Sequence, residues 1–326
     1  MPREAGITQP DDRRRGSLAC SSRRDGAGAS VVSGNAPGDA TLVERASREV
    51  AQALAQGEAV VVCCERATES VLAGVGVTYL AHANPQRVRL VAAAEAQVRL
   101  GEKLVALGDD ADNSMVSLAQ RVLSGFEKSC GRTCARRVVL ACASDQSGMP
   151  ETVHRYMRRG FSVGMRLYED VAAPEALAFA SLVQRVSTEC EHTRQFVRFV
   201  RIPDGTFVSV FEPNENTLPL VGSYFARRMR EDRFVVVDPR HLVAIFHDAG
   251  DATCSVVGLD EDTASTLASR VGEADERERL VQALWRRFYK AMELPGRGAA
   301  SRGYDLRASW MPKRFWHGLP ELDPRP

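Results

Sequence analysis

The sequence has no hydrophobic run long enough to cross a membrane. Its longest early apolar run, Ala59 to Cys64, is far shorter than the ~20 residues that a membrane helix needs. The N-terminus is rich in Arg and Asp and has no apolar segment before a plausible cleavage site, so we do not interpret it as a secretory signal. These absences predict a cytoplasmic protein that has no contact with a membrane.

An excess of charge of either sign is also lacking. The chain has 43 Lys and Arg against 42 Asp and Glu, which leaves a formal net charge of +1. Such a protein has no global field that would hold a polyanion. Any contact with nucleic acid therefore has to come from a local basic surface.

Paired cysteines at the spacing of a zinc site are missing as well, although the chain contains eight cysteines. Most of them lie in apolar periodic stretches, where a free thiol behaves as a small hydrophobic side chain. A reducing compartment is the simplest setting for such thiols. The sequence predicts neither a metal site nor a bound cofactor.

What the chain does contain is enough apolar residues to bury one large core or two modest ones. Residues 1–38 are rich in Arg, Asp, Ser and Gly and predict a disordered tail. Residues 39–171 show mainly helical periodicity, with a buried strand at Ala59 to Cys64 and further extended runs near 88–92 and 104–107. We interpret 39–171 as a mainly helical N-terminal part and 172–326 as an α+β C-terminal part of the same domain.

The C-terminal part carries the strongest local signal, a β-hairpin. Alternating residues at 196–202 and 206–211 flank the turn Pro203-Asp204-Gly205. Three further strands are predicted near 234–237, 242–247 and 254–259, followed by a helix with Leu284 and Phe288 on its apolar face. The predicted fold class is α+β, with a helical N-terminal half packed on a mainly antiparallel sheet of about five strands and closed by the C-terminal helix and the segment from Met311 to Trp316.

From Glu191 onward the sequence resembles a bacterial family, the domain-of-unknown-function 4130 family. The resemblance covers about Ala59 to Glu321 and is strongest after Gly160. The matching motifs are Glu191-His192-Thr193-Arg194, Phe196 to Phe199, Glu212-Pro213, Leu218-Pro219-Leu220, Phe225-Ala226 with Arg228, Val237-Asp238 with Arg240, Leu284-Trp285, Met311-Pro312-Lys313-Arg314-Phe315-Trp316 and Leu319-Pro320-Glu321.

This resemblance implies a probable role in DNA metabolism or DNA repair, as the companion of a radical-SAM protein. The chain departs from the family pattern at two places. Thr193 stands between His192 and Arg194, and Arg302-Gly303 stands where relatives carry Arg-x-Asn. The second departure removes any role of that Asn here.

Two short motifs suggest other enzymes and are set aside. Gly160-Phe161-Ser162-Val163-Gly164 matches a nucleophile elbow, but such an elbow requires a strand before the Ser, and we expect a helix that ends at Gly160. Cys130 and Cys134 begin a radical-SAM cluster motif, yet Arg137 occupies the place of the third Cys.

A polar constellation around the hairpin is the first candidate site. Its members are His192, Arg194, Arg198, Glu212, Asn216, Asp238 and Arg240. If the protein is catalytic, His192 is the natural acid or base, with Glu212 or Asp238 as its orienting or second carboxylate. The alternative, which we favour, is a structural network in which these carboxylates pair with Arg198 or Arg240 and His192 caps its helix.

The basic C-terminal end is the second candidate site. Aromatic residues are interleaved with cations there, so that rings could stack on bases while cations neutralise phosphates. The alternative is a solvated face whose Phe315 and Trp316 pack on the core. The predicted nucleic-acid contacts from both constellations are Arg194, Arg198, Arg240, Arg286, Arg287, Lys313, Arg314 and Trp316.

Three functional hypotheses follow. The leading one is a DNA-binding or DNA-processing accessory to a radical-SAM repair protein. The second is a stand-alone nucleic-acid hydrolase or glycosylase-like enzyme that uses His192 and Glu212. The third is an assembly factor whose exposed aromatic residues bind another protein.

Overall fold

Two β-sheets and the helices around them are formed by residues 40–108, 110–292 and 311–319, which are the residues that the computed structural model describes. The expected tail at 1–38 lies outside these ranges. The helices are α1 (Leu42–Ala55), α2 (Thr68–Leu80), α3 (Ser114–Cys130), α4 (Arg132–Cys142), α5 (Met149–Val163), α6 (Pro174–Phe196), α7 (Leu218–Arg228), α8 (Glu261–Ser269) and α9 (Glu276–Ala291). The strands are β1 (Ala59–Cys64), β2 (Val88–Ala92), β3 (Glu102–Ala106), β4 (Val200–Arg201), β5 (Phe207–Val210), β6 (Phe234–Asp238), β7 (Val243–His247) and β8 (Ser255–Gly258).

The N-terminal half contains a small parallel sheet in the order β2-β1-β3. Val60 pairs with Val88 on one side and with Lys103 on the other. Because β1 is the central strand, its five residues after Ala59 are all buried, as an uninterrupted apolar run predicts. Helix α2 is apolar on all sides and lies in the core beside this sheet. The extended runs were predicted, but their assembly into a separate sheet was not.

The C-terminal half contains a five-stranded sheet in the order β4-β5-β6-β7-β8. Strands β5 and β6 are parallel, and the other three pairings are antiparallel. The α+β class and the mainly antiparallel sheet of five strands are therefore confirmed. Among the described residues, no helix is both long and apolar enough to span a bilayer.

The predicted hairpin is present but much shorter than expected. The turn forms as predicted, with the Asp204 carboxylate accepting the backbone N–H of Thr206 at 2.8 Å and Gly205 at a φ of 86°. The first strand, predicted at 196–202, is wrong in extent, because α6 continues through Phe196 and only Val200 and Arg201 pair with β5. The aromatic contacts of Phe196 hold it at the end of the helix.

The expected end of α5 at Gly160 is also wrong. Helix α5 runs on to Val163 and is followed by Gly164 at a φ of 63°. A Cβ on Gly160 would overlap the ring of Phe126, so glycine is needed there for α3 and α5 to approach each other. Ser162 lies inside the helix, which agrees with our rejection of a nucleophile elbow.

Helix α6 joins two hydrophobic cores. Its Phe179 and Leu182 belong to the core around the parallel sheet, whereas Val186 and Cys190 belong to the core under the five-stranded sheet. Helix α9, by contrast, buries none of its residues. It therefore does not close the sheet as expected. The segment from Met311 performs that role, since Phe315 is 4% exposed in the second core.

Candidate functional site

His192 lies in the last turns of α6, and its partner is Glu189 instead of either predicted carboxylate. The Nδ1 atom of His192 lies 3.3 Å from Oε2 of Glu189, whose side chain is only 6% exposed. The same carboxylate accepts from Nη2 of Arg314 at 2.7 Å and from the backbone N–H of Asn214 at 2.7 Å. The buried carboxylate of Glu189 is thus compensated by one cation and two further polar groups.

An aromatic cluster extends this contact. The ring of Phe315 stacks on Phe211 at 4.6 Å and lies 5.6 Å from Phe196 and 5.8 Å from His192. The guanidinium of Arg314 lies over the ring of Phe315 at 4.3 Å. Arg314 and Phe315 therefore anchor the C-terminal segment to α6. Since Glu189 neutralises Arg314, the geometry gives no support to the predicted phosphate contact of this residue.

The three predicted catalytic residues are not in hydrogen-bond contact with one another. Glu212 is exposed and forms no hydrogen bond or ion pair within the described ranges. Asp238 is fully buried at the end of β6 and bonds to His241. An enzyme that uses His192 and Glu212 stays a prediction.

Asp145, His241 and Asp238 form what we call the aspartate–histidine triad. Nδ1 of His241 lies 2.5 Å from Oδ2 of Asp238, and Nε2 lies 3.1 Å from Oδ2 of Asp145. The other oxygen of Asp238 accepts the backbone N–H groups of Arg240 and His241 at 3.0 and 3.1 Å. The turn after β6 therefore directs the imidazole between two carboxylates.

The pKa values in the triad follow from this geometry. Burial alone would disfavour the imidazolium, but the hydrogen bonds to Asp145 and Asp238 outweigh it and raise the pKa of His241 to about 9. Burial likewise disfavours the Asp145 carboxylate, yet the bond to His241 and the charges of His241, Arg240 and Arg66 hold its pKa below the ordinary value. At neutral pH His241 is an imidazolium that donates both N–H groups, so it is not available as a general base.

The loop at 143–148 connects this triad to both halves of the molecule. The buried carboxylate of Glu215 accepts from the Ser144 hydroxyl at 3.0 Å, from the Asp145 backbone N–H at 2.6 Å and from Nε of Arg185 at 3.1 Å. Arg66, which follows β1, donates to the Asp145 carbonyl at 2.6 Å and pairs with Glu95. The loop is therefore bonded to residues that follow strands of both sheets.

Four residues of these networks were missed in the sequence, namely Asp145, Glu189, Glu215 and His241. One local signal exists, because Asp238 and His241 are three residues apart in a turn, a spacing at which an Asp side chain bonds nearby groups. Asp145 lies 96 residues from His241 in the chain. No pattern in the sequence joins them.

The predicted cations Arg194 and Arg198 lie at the C-terminal end of α6. Arg194 forms an ion pair with Glu191, and its guanidinium is 5.9 Å from the centroid of Tyr224. Nη1 of Arg228 is 3.4 Å from the hydroxyl of the same tyrosine. Tyr224 thus brings α6 and the last turn of α7 together at one basic surface. Arg198 donates to the carbonyl of Gln195 at 2.8 Å, and Arg240 is half-exposed beside Asp145 at 3.3 Å.

The predicted cations Arg286 and Arg287 lie on α9, where Arg279 and Lys290 join them. All four side chains are exposed, and within the ranges that the structure covers none of them forms an ion pair. Lys313 is exposed, and Nε1 of Trp316 donates to the carbonyl of Met311 at 3.0 Å. The remaining cations of the basic end, Arg297, Arg302 and Arg307, lie outside the described residues.

Comparison with known proteins identifies a family and little more. No curated protein matches the sequence. One solved structure that matches is the DHH domain of a member of the s1p family of ribosomal proteins, with 7% identity, a TM-score of 0.29 and coverage of 71% of this chain and 89% of that chain. A likeness this low carries no argument. A family model described as a domain of unknown function, DUF4130, matches residues 147–321, which is more than half of the 326 residues, and the chain therefore belongs to the DUF4130 family.

Proposed function

We propose that this protein acts on DNA as an accessory protein in DNA metabolism or repair, and that α9 supplies its principal contact with nucleic acid. The observation that carries the proposal is the exposure of α9, which buries none of its residues and presents Arg279, Arg286, Arg287 and Lys290, none of which forms an ion pair within the described ranges. The proposed partner, a radical-SAM protein, rests on the resemblance described above.

The cations of α9 are arranged to meet a phosphate backbone. At about 100° per residue, Arg279, Arg286 and Lys290 fall within about 40° of one another on one side of the helix. Neutralising three phosphates gives a salt slope of about −2.7 for duplex DNA, from roughly −0.9 per contact. Because the net charge is only +1, we expect weak binding that depends on this local surface.

The surface around Tyr224, with Arg194 and Arg198, is the proposed second contact.

The test measures binding of fluorescent single-stranded and duplex oligonucleotides between about 50 and about 200 mM salt. The double variant Arg286→Gln with Lys290→Gln should bind more weakly and lose about two thirds of the salt slope, because two of three phosphate contacts are removed. The matched control is Arg45→Gln with Arg48→Gln, which removes the same charge from exposed positions of α1. Absence of binding at the lowest salt, or equal losses in both variants, would contradict the proposal.

The radical-SAM partner needs a separate test. A tagged form of the protein, incubated with a purified radical-SAM repair protein after nuclease treatment, should retain it. Retention only in the presence of DNA would mean that the two proteins meet on DNA without a direct interface. No retention under either condition would remove the partner from the proposal.

A further inference from the structure

Helix α9 carries an apolar face that no described part of the chain covers. Its six large apolar side chains are between 44% and 66% exposed: Leu280, Val281, Leu284, Trp285, Phe288 and Met292. At about 100° per residue they occupy an arc of about 140°, on the side of the helix opposite Arg279, Arg286 and Lys290, and Arg277 in the first turn lies within this arc. An arc of this width normally faces a core, so its exposure calls for an occupant.

The size of this face fits a protein interface. From the exposed fractions, the six side chains present on the order of 600 Å² of apolar surface, which approaches the ~800 Å² that each partner contributes to a standard interface. The largest apolar patch of an ordinary monomer is about 300–600 Å². The face is therefore at the upper limit of what a monomer exposes.

The charges beside the face identify the occupant. Glu276 lies in the first turn of α9, and Arg287 lies eleven residues later in its second half. At about 100° per residue, the two side chains lie within about 20° of each other around the helix, on the same edge of the apolar face. When two copies of such a helix pack antiparallel, this edge of one copy lies against the same edge of the other copy, which runs in the opposite direction. Glu276 of each copy then lies toward Arg287 of the other.

We propose that two copies of this chain associate through antiparallel packing of their α9 helices, about a two-fold axis near Gln282. The contact is isologous, since the same face serves both copies. A net charge of +1 gives the two copies no strong mutual repulsion. Arg279, Arg286 and Lys290 stay on the outer sides of the pair, so the association goes beyond the proposed DNA contact and does not depend on it.

The first test measures the molecular mass of the full chain by sedimentation equilibrium over a range of concentrations. The wild type should be a dimer that dissociates on dilution, and Leu284→Asp should raise its dissociation constant ~100-fold or more, because two like charges would meet near the axis. The matched control is Leu177→Asp, which makes the same change at a leucine of α6 that is 59% exposed. It should remain a dimer.

The second test uses the charges. Arg287→Glu alone should weaken the dimer, and adding Glu276→Arg should restore it, because the pair is reconstituted with reversed signs. A wild type that stays monomeric at all concentrations, or a double variant that is weaker than the single one, would overturn the inference.

Two further measurements separate competing occupants. A large drop in the melting temperature of Leu284→Asp under monomeric conditions would mean that the face is covered within one chain, and it would overturn the proposal. Binding of a monomeric wild type to vesicles of anionic lipid would overturn it in favour of a membrane surface. DNA binding by the Leu284→Asp monomer tests the proposed DNA contact of α9 separately from the dimer. The two proposals can be distinguished, since the DNA contact can fail in a protein that still forms the dimer.

Discussion

Replacing His241 by Gln should remove a pH dependence of stability that the aspartate–histidine triad creates. The side chain is 8% exposed, and its pKa rises from the ordinary 6.5 to about 9 on folding. Each pKa unit corresponds to ~1.4 kcal/mol, so the shift is worth ~3 kcal/mol. Because the folded pKa is the higher one, this contribution is complete below pH 6.5 and is lost as the pH rises through 9.

The assay is urea unfolding of both proteins between pH 6.5 and pH 9, followed by far-UV circular dichroism. The free energy of unfolding of the wild type should fall by ~3 kcal/mol more than that of His241→Gln across this range. At the lower pH the variant should be the less stable protein, since the fully buried Asp238 loses the cation that His241 provides.

A matched control is His247→Gln. His247 is also buried, but its Nδ1 and Nε2 atoms lie beside two backbone carbonyls, those of Asp232 and Asp251, both at 3.0 Å. Its replacement breaks no ion pair, so the fall in stability between pH 6.5 and 9 should persist in this variant. Equal pH slopes for the wild type and His241→Gln would refute the reasoning.

Three further predictions concern stability and are checked by chemical unfolding. Arg314→Gln should lower the free energy of unfolding by ~3 kcal/mol, because it leaves the buried Glu189 without its cation. This value is at the lower end for a buried pair, since the Arg314 side chain is 34% exposed. An unchanged stability would show that Glu189 does not depend on Arg314. Gly160→Ala should lower the free energy of unfolding by ~1–3 kcal/mol, because its Cβ overlaps Phe126 and Leu167. Gly125→Ala, in helix α3 with no atom within 4 Å of its Cβ, controls for the loss of a helical glycine. Thr41→Ala should cost ~1 kcal/mol through loss of the capping box with Glu44, and a neutral result would contradict that role.

Local patterns in the sequence predict which segments form helices and strands better than they predict which of these elements pair or pack together. The run from Ala59 to Cys64 is predicted as a buried strand because all six of its residues are apolar. Its parallel neighbours could not be assigned, since parallel pairing joins distant segments and leaves no turn signal. The strand predicted at 196–202 was too long because alternation of Phe and Val is also compatible with the end of a helix, and contacts with Phe315 decide in favour of the helix.

For the candidate site as well, the sequence predicts local elements but not the contacts between distant residues. The periodicity of α9 predicts an amphipathic helix, but it cannot tell whether the apolar face is buried, because that depends on the positions of other elements. His192 was recognised as a polar residue near a helix end, yet its partner Glu189 lies one turn earlier on the same helix and its other neighbours come from residues 211–214 and 314–315. Only the folded chain brings these groups together.

The passage of α6 through both hydrophobic cores determines how the chain can be divided. The DUF4130 match begins at residue 147, but Phe179 and Leu182 pack in a core made largely from residues before that point. A fragment that starts at 147 would expose the N-terminal half of α6 as an apolar stripe. The residues between 42 and 142 cover this stripe in the intact chain. We therefore expect that the start of the family match is not the start of a unit that folds independently.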